Sequence, residues 1–256
     1  MSINIFFPLA LLCALTSCQN YEKANTIART GVVFSTSWEN GIDPRLQRET
    51  ISSQATKVVY SNNNILPRSL EVTIRRSDNY AKIDNGAPRA ELSFATITRF
   101  VRGGDYIINW QTYIPKDYQI DRKQPEVISQ IHQGTASGYP TFALFISETG
   151  RYGVRVRAGE GRGTEGSQFG DVERDKGRVV DWQMHYIPDD IGKYSLVDLQ
   201  KDGKDMFKIV GVPNAYPSDD GAYFKIGIYK SEWQKKPTDV ESRTLYYGKI
   251  SIMRIN

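Results

Sequence analysis

Tyr223-Phe224-Lys225-Ile226-Gly227-Ile228-Tyr229 is the stretch that decides the fold. Its apolar side chains, Phe224, Ile226 and Ile228, fall at every second position, and the intervening set is Tyr223, Lys225, Gly227 and Tyr229. A period of two marks a β-strand with one buried and one open face, because successive side chains leave the backbone on opposite sides and residues i and i+2 stand roughly 6.6 Å apart. The same alternation governs Pro88-Arg89-Ala90-Glu91-Leu92-Ser93-Phe94, where Arg89, Glu91 and Ser93 share a face and Ala90, Leu92 and Phe94 fill the other. In Val127-Ile128-Ser129-Gln130-Ile131-His132, Gln130 and His132 point one way and Ile131 the opposite way. Gly227 is read as clearing space between Lys225 and Tyr229 for a closely approaching ligand.

Outward from these segments the chain continues in the same style. Further strands are expected at 31–37, 57–60, 69–75, 105–114, 141–147, 152–157, 179–187, 194–201 and 245–255, each short, alternating or β-branched and bounded by turn residues. Asp202-Gly203 and Thr149-Gly150 read as hairpin turns. Asp43-Pro44 followed by 45–51 reads as a short helix, with Asp as cap and Pro in the first turn. No long segment has a helical period, and no repeat or Pro/Ser-rich linker interrupts the interior. The pattern therefore calls for one all-β sandwich or jelly roll over residues 31–256.

Composition narrows the chemistry. The chain has 256 residues, 39% hydrophobic and 24% charged, which is too apolar for a disordered protein and too polar for a multi-span membrane protein. Two cysteines and two histidines exclude a disulfide scaffold and a Cys/His zinc cluster. Residues 3–15, with Cys13 among them, form an apolar run too short to cross a bilayer and read as the core of an export signal. Leu15-Thr16-Ser17-Cys18 resembles a bacterial lipobox, which makes 1–17 a lipoprotein signal, Cys18 the lipidated residue and 18–30 a polar tether. An outer-membrane lipoprotein, touching the membrane only through its lipid and acting as a monomer, is the expected address.

Taken singly, each polar strand face is what any solvated antiparallel sheet presents. Their combination with one of only two histidines is more specific. Arg89-Ala90-Glu91-Leu92, Gln130-Ile131-His132 and the Tyr223–Tyr229 segment occur in the order of three motifs of the jelly-roll polysaccharide lyases. The chain resembles the group containing heparin lyase I and the glucuronan lyases, also around Trp182 and the Asp202-Gly203 turn, and shares motifs with jelly-roll alginate lyases. It departs from the latter at Ser93, where a further Arg is usual, and at Lys230-Ser231, which replaces Asn-Gln. The resemblance runs from about Gly31 to Arg254 and implies a concanavalin-like two-sheet jelly roll.

What it implies chemically is β-elimination at a 4-linked uronic acid. The C5 proton is acidic because it lies α to a carboxylate, and that carboxylate must be neutralised as charge builds on it. Arg89 and Gln130 suit that task, the Arg through its bidentate fork. By resemblance His132 is the base and Tyr229 the acid, with Lys225 holding charge or tuning Tyr229; for the opposite C5 configuration Tyr229 serves as both. Glu91, Tyr223, Arg155 and Arg157 are the expected substrate contacts. The scheme requires no metal or other cofactor, and the partner is an acidic polysaccharide rather than nucleic acid.

The remaining features are weighed against this. His185, on a face with Gln183, reads as structural. Gly161-Arg162-Gly163-Thr164-Glu165-Gly166 matches a dinucleotide fingerprint but lacks the βαβ context and is read as chance. Residues 158–170 read as a loop, either a lid or plain surface. Asp189-Asp190 and Asp219-Asp220 read as turns. Arginines crowd 151–178, where a basic groove would attract a polyanion. A non-catalytic glycan-binding module on the same fold is the rival from another functional class.

Overall fold

The computed structural model describes residues 31–61, 66–134, 138–159 and 164–255. The export signal, Cys18 and the tether lie outside the described residues, as do parts of the Gly161–Gly166 and 158–170 segments. Fifteen strands are described: β1 (Gly31–Thr36), β2 (Gln47–Glu49), β3 (Thr56–Tyr60), β4 (Arg68–Arg75), β5 (Arg89–Ser93), β6 (Tyr106–Tyr113), β7 (Glu126–His132), β8 (Phe142–Ile146), β9 (Tyr152–Arg157), β10 (Thr164–Phe169), β11 (Val179–Ile187), β12 (Leu196–Lys201), β13 (Lys204–Val210), β14 (Tyr223–Tyr229) and β15 (Ser242–Arg254). They form two antiparallel sheets. One runs β13-β12-β11-β6-β15-β4-β3, with β1 also paired to β15, and the other runs β10-β9-β8-β7-β14-β5-β2.

The alternation read from the sequence explains how the layers meet. Ala90, Leu92 and Phe94, with Phe224, Ile226 and Ile228, are at most 0% exposed and enter one continuous core. Phe224 meets Trp110 of the opposite sheet at 5.4 Å between ring centroids, and Trp110 stacks on Trp182 at 6.1 Å. Tyr247 reaches across the core from β15. Its hydroxyl sits 2.5 Å from the Ile128 carbonyl and 2.8 Å from that of Gly227, two backbone acceptors left over where β7 and β14 lose register. Burying those oxygens without a donor would cost free energy comparable to a lost hydrogen bond.

Three local expectations are corrected. Residues 45–51 form no helix. Asp43 accepts from the Arg45 backbone N–H at 2.9 Å and its carbonyl takes Leu46 N, a single turn after which the chain extends as β2 against β5. The described part of 158–170 is β10, paired along β9 from Thr164 opposite Arg157 to Phe169 opposite Tyr152. Gly227 serves the fold rather than a ligand: its φ is +136°, and a Cβ there would lie 2.2 Å from the Ala90 carbonyl oxygen of β5. Asp202-Gly203, by contrast, makes the β12–β13 turn with both residues at positive φ.

Because the obstruction at Gly227 is backbone, Gly227→Ala should lower the unfolding free energy by about 3 kcal/mol, combining conformational strain with a displaced strand. The check is the denaturant midpoint of the variant against the parent; an unchanged midpoint would contradict the close approach.

Candidate active site

Strand register carries the three sequence motifs to one place. Lys225 lies opposite Ser93 on one side and Gln130 on the other, Tyr223 lies opposite His132, and Tyr229 lies opposite Arg89. β14 is thus the centre of the site, flanked by the Arg-x-Glu strand and the Gln-Ile-His strand. The outward faces of all three strands form the floor of a cleft of about 400 Å³, whose lining includes Arg89, Gln130, His132, Tyr229, Arg155 and Arg157.

Beneath that floor is a cluster of buried charge. Glu49 Oε2 accepts from Arg89 Nη1 at 3.1 Å and from Lys225 Nζ at 2.6 Å. Glu91 Oε2 lies 3.1 Å from Lys225 Nζ and 3.6 Å from Arg89 Nη1, and its other oxygen accepts from the Gln130 amide. Burial alone would neutralise these groups, but the opposite charges outweigh it. Lys225 and Arg89 hold the Glu49 carboxyl below its usual range, and Glu91 with Glu49 holds Lys225 and Arg89 above theirs. Arg89 Nε is buried with no partner among the described residues, and the Arg89 guanidinium lies 4.5 Å over the Tyr229 ring.

His132 sits at the cleft wall. Its Nδ1 is 2.9 Å from the Gln133 carbonyl, a pairing in which the neutral ring donates and Nε2 keeps its lone pair. Burial lowers its pKa from the ordinary value, helped by the positive charge of Lys225, and the Gln133 carbonyl, Glu91 and Glu49 offset only part of that. Tyr223 packs against the ring at 5.6 Å between centroids and is itself covered by Arg99 at 4.7 Å. Burial pushes the Tyr223 phenol up.

A constellation of guanidinium, amide, neutral imidazole and phenol around one cleft can bind a carboxylate and move protons beside it. The sequence as a whole points the same way: residues 34–251 match the model of a family described as polysaccharide lyase. The chain belongs to the polysaccharide lyase family. No curated protein matches it significantly. Among solved structures, it is similar to an endo-β-1,4-glucuronan lyase from the fungus Trichoderma reesei, with a TM-score of 0.60 at 14% identity over 87% of this chain and 91% of that one. It is also similar to a family 7 alginate lyase in complex with substrate (0.57, 13% identity, 80% and 83% covered). An alginate lyase in complex with dimannuronate gives 0.51 at 9% identity, with 80% of each chain covered. These likenesses establish the two-sheet jelly roll.

Within this lyase some expected roles shift. Glu91 and Lys225, each 1% exposed, are not among the residues lining the cleft, whereas Arg89 and Gln130 are; Glu91 and Lys225 hold that pair from below. Tyr223 stands beside His132 rather than among the cleft lining. His185 lies on the other sheet, with Nε2 2.7 Å from Asp105. Asp189 and Asp219 accept backbone N–H groups of their own turns, and Asp190 and Asp220 grip Arg102. Among the described residues no cluster of three or more His, Cys, Asp or Glu is placed to hold a metal ion. A hollow of about 450 Å³ on the outside of the other sheet contains no His, Tyr or Arg, and its amides donate to Asp181, Asn109, Ser251 and Asp205. Glu49 of the charge cluster, and Asn85, Gly138, Tyr139, Pro140 and Ala143 of the cleft lining, are site residues that the sequence did not disclose.

The electrostatics carry a direct prediction. An NMR titration should place the His132 pKa below the ordinary value of about 6.5. Glu49→Gln removes a neighbouring negative charge that favours the imidazolium, and should lower the pKa further. An upward shift in that variant would contradict the arrangement.

Proposed function

We propose that this polysaccharide lyase acts on a uronic-acid-containing polysaccharide, glucuronan-like, heparin-like or alginate-like, and cleaves it by β-elimination to leave an unsaturated uronate end. The observation that carries the reading is the convergence of Arg89, Gln130, His132 and Tyr229 on one cleft in a chain of this family.

Each group has a task its surroundings favour. The uronate carboxylate docks against Arg89, whose guanidinium Glu49 and Glu91 hold in place, and against the Gln130 amide, one N–H of which is held by Glu91. Both donors are locked before substrate arrives, so stabilising the charge that develops as the C5–H bond breaks costs little reorganisation. His132 Nε2 accepts the C5 proton; the lowered pKa favours the neutral ring, the form competent as a base. Electrons from the C5–H bond form the C4=C5 double bond, the C4–O bond breaks, and the Tyr229 hydroxyl protonates the departing oxygen. For the opposite C5 configuration, Tyr229 takes the proton and returns it to the leaving group.

We further propose that residues 1–17 are an export signal and that Cys18 carries the lipid, which places the enzyme at the outer membrane. Cys18→Ala should abolish incorporation of labelled fatty acid and leave the protein in the aqueous phase on detergent partition.

Incubation with glucuronan, heparin and alginate should raise the ultraviolet absorbance of the conjugated double bond on at least one polymer. His132→Ala and Tyr229→Phe should each cut that rate by at least about 100-fold, the usual scale for loss of a general acid or base, without changing the thermal melt. Binding without any absorbance rise would favour the glycan-capture module, and full activity in Tyr229→Phe would remove it as the acid.

A further inference from the structure

The buried cluster beneath the cleft has two carboxylates against two cations, so it offers little net attraction to a polyanion. Attraction must come from elsewhere along the cleft, and register shows where. Gln130 lies opposite Ala143, which lies opposite Arg155. Two strand spacings separate Gln130 from Arg155, about 10 Å, a span that a 4-linked glycan covers in about two sugar residues. Ala143 between them is small and leaves the floor open. The row that starts at His132 runs in parallel: Thr141 N donates to the Ile131 carbonyl at 2.9 Å, and Arg157 N donates to the Thr141 carbonyl at 2.8 Å.

Both arginines are mounted on aromatic rings. Arg155 Cζ lies 4.5 Å over the Phe145 ring, on the cleft side of β8, and that ring lies so close over Gly153 that a Cβ there would come within 2.2 Å of it. Arg157 Cζ lies 4.0 Å over the Tyr139 ring, and the Tyr139 carbonyl accepts from Tyr216 Oη at 2.9 Å. A guanidinium stacked through its face keeps its N–H edge free and in a fixed plane, suited to bidentate capture of a carboxylate. Among the described residues neither arginine forms an ion pair, unlike Arg89 and Lys225. Phe145 as an outward-facing aromatic is otherwise unexplained by the core.

We infer that Arg155 and Arg157 form a second carboxylate-binding station, which grips the chain about two sugars from the residue undergoing elimination. The polymer then crosses the strands from β7 towards β9, and a substrate must carry uronates close together to use both stations. The inference rests on the proposed uronate substrate and adds the direction of the chain and its minimum length.

Calorimetric titration of the double variant His132→Ala/Tyr229→Phe, which lacks both candidate proton acceptors, with oligoglucuronates and oligomannuronates of defined length tests it separately from catalysis. Affinity should rise about tenfold once the oligomer reaches the second station, the worth of one charge-assisted contact, and the further changes R155Q and R157Q together should abolish that rise while leaving the thermal melt unchanged. In the otherwise unaltered enzyme the same pair should raise KM about tenfold on long chains with kcat within about twofold. A length step that survives R155Q/R157Q overturns the station. If the step vanishes as expected but the unaltered enzyme yields no unsaturated product, the station stands and the lyase reading of the cleft falls.

Discussion

Two carboxylates and two cations gathered on one sheet, Glu49 half-buried and the other three buried, are the constraint on which the site depends. Glu49 and Glu91 bridge Arg89 and Lys225 across β2, β5 and β14, and Gln130 ties the cluster to β7. Taking Arg89, Glu91 and Lys225 out of water costs several kcal/mol each, and attraction offsets that cost only while every partner stays in place. Removing one would leave an uncompensated buried charge, at about 3–5 kcal/mol. That penalty keeps the Arg89 guanidinium and the Gln130 amide in a single orientation before any ligand arrives. The close packing of β14 on β5 at Gly227 serves the same end, since a wider gap between those strands would pull the partners apart.

The sheets divide the labour. One faces its partner with the tryptophans and carries ordinary amide and ion pairs outside; the other turns its outward face into a cleft. The lowered pKa of His132 comes from the same sheet, through burial and the nearby Lys225 charge, while the Gln133 carbonyl accepts from Nδ1. The proposed stabilisation of charge and the proposed acceptance of a proton therefore share one electrostatic origin.

Much of this was legible in the sequence because a two-residue period survives wherever one face is buried. β5, β7 and β14 announced themselves in this way, and with them the shared faces of Arg89, Gln130, His132 and Tyr229. Three edge strands, β2, β10 and β13, gave no such signal. β10 is exposed along nearly its whole length, and β13 sets Met206, Phe207 and Ile209 half-buried among Lys204, Asp205 and Lys208, so neither alternates cleanly. β2 has only three residues, and its Asp-Pro preface imitated a helix start; Glu49 was hidden with it. Residue faces follow from periodicity, whereas depth does not: Glu91 and Lys225 share a face with the cleft residues yet lie under it. Gly227 shows a similar limit, since the strand that crowds it is far away in sequence.

Elimination and hydrolysis of the same glycosidic bond differ in the fate of water. Turnover of a polyuronide in oxygen-18-labelled water, followed by mass spectrometry of the fragments, distinguishes them at the bond itself. The arrangement of Arg89, Gln130, His132 and Tyr229 predicts fragments free of solvent oxygen, one of them lighter by a water and bearing the C4=C5 double bond. A labelled hydroxyl at the cleavage site, with no unsaturated end, would contradict it.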